Sequence, residues 1–533
     1  MSFDILIKNG RVVDGTGNPW FWADVGIKDG KIAAIGDLSG KEGETIIDAS
    51  GLVVSPGFID VHTHSDTVLL VNPWGDSHIR QGVTTNIIGN CGGSAAPMSD
   101  QTRRQYGEML KKHDLDEWTT LGEFLTQLEK RGTSLNVGSL VGNATIRRAV
   151  MGMEKRAPTS GELEEMKRLV AEAMEDGAFG LSTGLFYAPS GFADTDEVVE
   201  LAKVAARYGG LYVSHIRGEG DTLLEALKEA IEIGERADLP VHISHHKAFG
   251  KSNWGRVKET LRMMEEARKR GIEITCDAYA WRAGATGLTA SLPHWVHEGG
   301  AQRLIERLKD PETRQRIRKD MAEGTPGWES VVHEMGWENV MISSCPGHEE
   351  YEGKRVAEIA EEKGVDPYDF VFDLLVEVEG RIGMIIFGMH PEDVATVLKS
   401  PFTMMASDSS AVTPTPGQTG KPHPRGYGNF VKVLGEYVRE EGLLTLEEAV
   451  RKMTSMPAQK FGILDRGLLR VGAWADVVVF DPERVASRAT YLDPRQFPVG
   501  INVVIVNGVI TIEEGEHTEA KAGKVLRRPP LLR

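Results

Sequence analysis

Apolar positions change their period twice along this chain. Near the N-terminus they alternate in short runs broken by turn dipeptides: DILIKNGRVVD breaks at Asn9-Gly10, and ADVGIKDGKIAAIG breaks at Asp29-Gly30. Both dipeptides suit hairpin turns that need positive φ. The C-terminal part repeats the pattern, with GAWADVVVFD followed by INVVIVNGVIT and a turn at Asn507-Gly508. Two β-rich ends around a different middle predict one small discontinuous β domain, a sandwich built from residues 1–55 and 461–533.

Between these ends, from about Gly57 to Ser409, short apolar runs alternate with amphipathic helices. Val198, Leu201, Ala202 and Ala205 share one face of DTDEVVELAKVAARYG, and GLYVSHI follows at once. Strand, helix, strand is the signature of a parallel sheet. The runs are FIDVHTH, TTNIIGNCG, NVGSLVGN, AFGLSTG, LYVSHI, VHISHH, ITCDAY and TMMASDS, eight in all. Eight βα units predict an α/β fold with a closed (β/α)8 TIM-like barrel, here over 56–460, and no Gly-rich dinucleotide fingerprint favours an open doubly wound sheet. The spacing breaks between Tyr279 and Phe402, where VMISS and RIGMIIF predict an insertion near the barrel mouth at about 285–400. VTPTPGQTGKPHPRGYG reads as an ordered loop beside the eighth strand.

Composition narrows the class. The 533 residues are 41% hydrophobic and 26% charged, the balance of an ordinary globular protein. A formal net charge of −17 without any Lys/Arg run argues against nucleic acid and anionic membranes as partners and leaves a small-molecule substrate. Three cysteines, Cys91, Cys276 and Cys345, cannot frame disulfides in so long a chain and fit a reducing compartment. Asp4 and Lys8 interrupt the start where a signal peptide needs apolar residues, so the expected location is the cytoplasm. The sequence fixes no oligomeric state.

The chemistry collects at strand ends. His62 and His64 lie two apart in FIDVHTH, and residues i and i+2 of a strand share a face. Both imidazoles therefore project together at the C-terminal end, where barrel enzymes keep their sites. Cys91 ends the second strand, His215 the fifth, His245 the sixth and Asp408 the eighth. Six metal-competent side chains at one end of five strands outweigh the structural alternative that each pair or cysteine carries alone. Cys276 and Cys345 read as packing residues, and His246 points to the face opposite His245. Lys247 returns to the mouth by alternation, with a structural role equally open, and His294, His297, His348 and His423 read as surface loop histidines.

VVSPGFIDVHTHSD, QGVTTNIIGNCGGSAAP, GLSTGLFYAP, SHIRGEG, ISHHK, DAYAWRAG, MMASDS, HPRGYGNF and GLLRVGAWADVVVFDP occur in this order over nearly the whole length. In them the chain resembles the amidohydrolase superfamily, and within it the N-acyl-D-amino-acid deacylases (D-aminoacylases). Many binuclear superfamily members bridge their metals with a carboxylated lysine from the fourth strand, but AFGLSTGLFYAPS has none, and Cys91 can supply the anion. The resemblance implies a tight zinc site at Cys91, His215 and His245 with an open position for water, and a second, weaker site at His62 and His64. It implies hydrolysis of an N-acyl bond with Asp408 as general base and acid. Arg425, Tyr279, Tyr187 and Ser291 would bind the substrate, and Trp281, Met389 and Phe186 tilt its side chain toward apolar. Where relatives commonly have Tyr-Pro-Tyr, this chain has Tyr279-Ala280-Trp281. Two alternatives stand: a cyclic-amide hydrolase of the dihydropyrimidinase or hydantoinase kind, and a non-catalytic scaffold of the same fold.

Overall fold

The computed structural model describes residues 2–325, 328–415 and 417–528. All eight apolar runs form parallel strands: β1 (Phe58–Asp60), β2 (Val83–Ile88), β3 (Asn136–Ser139), β4 (Gly180–Gly184), β5 (Leu211–His215), β6 (Val241–Ile243), β7 (Ile274–Ala278) and β8 (Thr403–Met405). These strands are buried on both faces, which is why they read as continuous runs and not as alternation. Helices cover them. The helix Thr195–Arg207 starts where Asp194 caps the Glu197 N–H, and it buries Val198, Leu201, Ala202 and Ala205 as the periodicity predicts.

The parallel strands form two arcs. One runs β1, β2, β3; the other runs from the short strand Val141–Gly142 through β4, β5, β6 and β7 to β8. Only Leu140 separates β3 from Val141, and at the far side Thr63 bridges Ser409 in parallel. Beside the gap at Leu140, Val525–Leu526 pairs in parallel with Val137 and Gly138, and the Phe179 N–H, just before β4, donates to the Ser139 carbonyl. The sequence pattern groups Val525–Leu526 with the terminal β domain, because two apolar residues among charges carry no period of their own.

The chain ends share a nine-stranded sheet in which Val53–Pro56 pairs antiparallel with Val477–Phe480. Asp29-Gly30 and Asn507-Gly508 are hairpin turns with both φ values positive, 52° and 76°, then 50° and 82°. Asn9-Gly10 is not a turn. The strand Phe3–Val12 runs straight through it, with a register shift between Ile7 and Gly10 and φ of 61° at Asn9. Asp24 accepts the Asn9 N–H and Asp48 accepts its amide, so the same dipeptide chemistry makes a bulge.

Immediately after β7 the insertion begins as a three-stranded antiparallel sheet of Ala283–Gly287, Gly383–Phe387 and Val340–Ser344, with its own apolar core around Leu304, Leu308, Ile317, Phe370 and Leu375. The helix Pro391–Lys399 leads back to β8. The HPRGYGNF segment, read as part of a loop, opens the helix Arg425–Lys432. Among the described residues no helix is long and apolar enough to cross a membrane.

Candidate metal centre

The donors predicted from strand ends converge. Cys91 Sγ lies 3.7 Å from both His215 Nδ1 and His245 Nε2, which are 2.9 Å from each other. Zinc bonds of about 2.3 Å to sulfur and about 2.05 Å to nitrogen at tetrahedral angles place S and N about 3.6 Å apart and two nitrogens about 3.3 Å apart. The triad therefore encloses a zinc-sized space. His62 Nε2 approaches Cys91 Sγ at 3.2 Å and Asp408 Oδ1 at 3.4 Å, and His64 Nε2 reaches the same Oδ1 at 3.1 Å. The thiol thus stands between the two proposed sites.

Three of these donors occupy the left-handed backbone region: Cys91 at φ 51°, His245 at 35° and Asp408 at 49°. Each follows the end of a strand, where the chain turns sharply and aims its side chain into the common space, at a cost of order 1–3 kcal/mol apiece. The glycines of the G-N-C-G and S-T-G blocks permit the approach. A Cβ on Gly184 would lie 2.2 Å from the Cys91 carbonyl oxygen, and one on Gly92 2.8 Å from the Gly184 nitrogen.

Electrostatics fit a metal cradle. Burial opposes the thiolate, but His62, His215 and His245 outweigh it, and Cys91 ionises well below the ordinary thiol range. Burial likewise opposes the Asp408 carboxylate, yet Arg425, His245 and His62 hold it well below the usual carboxylate range. Arg425 Nη2 pairs with Asp408 Oδ2 at 2.9 Å, while its buried Nε and Nη1 meet no hydrogen-bond acceptor among the described residues. Its guanidinium lies 4.5 Å from the centre of the Tyr279 ring. Cys91, His64, His215, His245, Asp408, Arg425 and Tyr279 line a cavity of about 270 Å³, together with Tyr187 and Phe186.

Some assignments change. Ser291 is not at the cavity: its buried hydroxyl donates to the Leu288 carbonyl within a 3-10 turn, 2.7 Å away. Trp281 and Met389 are also absent from the lining, where Phe249, Val331, Met335 and Ile386 supply the apolar wall. His294 and His423 are buried and bond the Phe186 and Ala283 carbonyls, so they are not surface histidines. His246 contacts Thr260 on the covering helix Val257–Lys269, as strand alternation requires. Strand β4 carries no lysine; Ser182 bonds the Gly89 carbonyl and Thr183 bonds Ser214.

Two supporting carboxylates, Asp277 and Glu219, carry no sequence signal, while Lys247 reaches the mouth as strand alternation predicts. Asp277 on β7 accepts His62 Nδ1 at 3.3 Å, His242 Nε2 at 2.9 Å and the His245 N–H at 2.8 Å. That orients the His62 ring with Nε2 toward the sulfur. Glu219 lies 2.9 Å from His245 Nδ1, and Lys247 binds the same carboxylate oxygen at 2.5 Å. The SHIRGEG block contains Glu219, but nothing in its spacing distinguishes a cavity carboxylate from a surface one.

Parallel strands presenting such donors at their C-terminal ends define an α/β protein suited to a divalent metal. The amidohydrolase family matches residues 45–512. D-aminoacylase of Alcaligenes xylosoxydans xylosoxydans is 38% identical over 99% of this chain and 98% of its own length. N-acyl-D-glutamate deacylase of Bordetella bronchiseptica, solved with zinc and a phosphonate mimic of the tetrahedral intermediate, superposes with a TM-score of 0.82 at 35% identity, covering 99% of this chain and 100% of that one. A D-aminoacylase studied for its binuclear metal centre, with one-metal activation and second-metal attenuation, gives 0.81 at 36% identity over the same shares. A solved D-hydantoinase gives 0.55 at 16% identity, a likeness of fold alone. The chain belongs to the amidohydrolase family, in the group of D-aminoacylases and N-acyl-D-amino-acid deacylases.

Proposed function

We propose that this protein is a zinc-dependent amidohydrolase that cleaves N-acyl-D-amino acids to a carboxylate and a free D-amino acid. One observation carries the reading: a single cavity holds both a thiolate–imidazole cradle and a buried guanidinium with two nitrogens that meet no acceptor among the described residues. Cys91, His215 and His245 would hold the tight zinc, and His62 and His64, with Asp408 beside them, a second and weaker ion. Bound zinc polarises an acyl carbonyl and lowers the pKa of water from about 16 to about 7. Zinc and the D-configuration are supported by the relatives named above.

Asp408 Oδ1 is the proton acceptor during attack and returns the proton to the leaving amine, a contribution of about 10²- to 10⁴-fold. Its ionised state at neutral pH fits that role. The α-carboxylate of the substrate pairs with Arg425 through a guanidinium N–H that Asp408 leaves unused, a charge-assisted contact that also selects against amides lacking the acid. Tyr279 packs its ring on the guanidinium, and Tyr187 sets its ring edge-on to His215 at 4.9 Å between centroids. The two parallel arcs are parts of one eight-stranded barrel, a reading supported by the Thr63–Ser409 bridge and the single residue between β3 and Val141. The terminal sheet folds over one shared core of Ile7, Val25, Val477 and Ile505, consistent with a small sandwich.

A cyclic-amide hydrolase is disfavoured by the absent β4 lysine and by Cys91 in the cradle. A scaffold is disfavoured because all six donors are retained and converge. The test is metal-replete enzyme with N-acetyl-D-methionine, N-acetyl-L-methionine and dihydrouracil. Release of D-methionine, lost by two or more orders of magnitude in Asp408→Asn with its zinc intact, is the expected result. Turnover of dihydrouracil alone sinks the proposal.

A further inference from the structure

We propose that Glu329 and Glu334, supplied by the insertion, make this cavity selective for N-acyl-D-amino acids whose aliphatic side chain ends in a cation, as in lysine, ornithine or arginine. The inference rests on the deacylase reading and adds the side chain that the site accepts.

The other ionisable groups of the cavity pair off. Arg425 takes Asp408 at 2.9 Å, and Lys247 takes Glu219 at 2.5 Å. Glu329 and Glu334 line the same cavity, and neither forms an ion pair among the described residues. Glu334 Oε2 accepts the Ser252 hydroxyl at 2.8 Å and the Asn253 amide at 3.4 Å, and burial with the neighbouring Asp221, a third carboxylate without an ion-pair partner among the described residues, pushes its carboxyl up. The neighbouring Arg256 turns to the Asp221 carbonyl and the Asn253 side chain, and His333 bonds the Ala322 carbonyl. The excess charge at this wall is therefore negative.

Glu329 is the built part of the site. It is only 8% exposed, and its Oε2 accepts the Gly220 N–H at 2.8 Å and the Thr222 hydroxyl at 3.2 Å. Its Oε1 accepts no hydrogen bond among the described residues, although the residue faces the cavity. Two glycines of the H-I-R-G-E-G run clear its place: a Cβ on Gly218 would come within 2.7 Å of Oε2, and one on Gly220 within 2.9 Å of Oε1. Burial, with the like charges of Glu219 and Glu334, pushes its carboxyl up to about 7. A buried charge of this kind is stable when a partner arrives with it. Phe249, Val331, Met335 and Ile386 form the rest of the wall, an apolar sleeve for a methylene stem whose charged tip reaches Oε1. An acidic side chain would meet two carboxylates and be rejected.

The test compares N-acetyl-D-lysine with N-acetyl-D-norleucine, which share the stem and differ by the ε-ammonium, and adds N-acetyl-D-glutamate, all with the metal-replete enzyme. The expected kcat/KM for lysine exceeds that for norleucine by about tenfold or more, the scale of one charge-assisted hydrogen bond, and glutamate is poorest. Glu329→Gln should bring the lysine-to-norleucine ratio to within about threefold of one, mainly through KM for lysine, and Glu334→Gln should lower it in the same direction. Norleucine matching or beating lysine in the unsubstituted enzyme overturns the proposal, whatever the variants do. A folded Glu329→Gln with an unchanged ratio overturns the role of that carboxylate. Failure to hydrolyse any N-acetyl-D-amino acid defeats the deacylase reading itself, a result distinct from loss of selectivity.

Discussion

Asp277→Asn isolates what a hidden carboxylate does for the metal centre. Asp277 accepts from three donors: His62 Nδ1 and His242 Nε2 meet Oδ2, and the His245 backbone N–H meets Oδ1. An amide keeps only one oxygen. If that oxygen faces the imidazoles, the new NH2 opposes the His245 N–H, and a buried donor goes unpaired at about 1–3 kcal/mol. If the amide flips, both imidazoles must become acceptors on this side. His62 then carries its proton on Nε2, the nitrogen 3.2 Å from Cys91 Sγ, and has no lone pair left for a metal. Losses of such outer-shell partners typically weaken metal affinity by about 10- to 100-fold, or about 1.4–2.7 kcal/mol. Titrating the apo protein with zinc against a chromophoric chelator should show two steps, the weaker one displaced by that factor in Asp277→Asn, while circular dichroism confirms the fold. A folded variant with both steps at their original affinities, or an unsubstituted enzyme with one step only, refutes the reasoning that Asp277 prepares His62 as a ligand.

Cys91→Ala should strip the tight metal and abolish turnover, measured as zinc per chain after desalting; full zinc with full activity removes the sulfur from the ligand set. Arg425→Ala should raise KM for N-acetyl-D-methionine by about 10- to 100-fold, the scale of hydrogen bonds to a charged group, and spare a simple N-acetyl amine. Equal loss on both would mean that the arginine serves only Asp408. Away from the site, Glu197→Ala leaves the fully buried Arg147 without its carboxylate and should cost about 3–5 kcal/mol, read as an earlier midpoint in chemical unfolding. A cost under about 1 kcal/mol would show that the Arg156 carbonyl, which Arg147 also reaches, is sufficient.

The strands and their donors were legible because two periodicities carry them. Continuous apolar runs between amphipathic helices mark β1 to β8, and a donor at the end of such a run must emerge at one edge of the sheet. His246 contacts the covering helix for the same reason. Three-dimensional closure is what the pattern lacks. Asn9-Gly10 has the residues of a hairpin, but Asp24 and Asp48, distant in sequence, supply the partners that turn it into a bulge. Ser291 looks like a free hydroxyl until the 3-10 turn offers it the Leu288 carbonyl. Asp277 follows a cysteine in an ordinary strand, and only the fold brings β1 and β6 histidines to it.

The site divides its labour between two kinds of backbone. Chemistry belongs to residues fixed at strand ends, where Cys91, His245 and Asp408 hold left-handed conformations that rigid neighbouring strands over-determine. On the proposal above selectivity belongs to the insertion, which contributes Val331, Met335, Ile386 and the two glutamates to the same cavity without supplying any of the six metal-competent donors. Substitutions in the insertion can therefore change which side chain is accepted while the metal cradle keeps its geometry. Substitutions at the strand ends cannot retune binding without disturbing the donors themselves. Specificity among N-acyl-amino-acid hydrolases of this architecture should accordingly shift through insertion residues first, and Glu329 is the position where this chain makes that argument measurable.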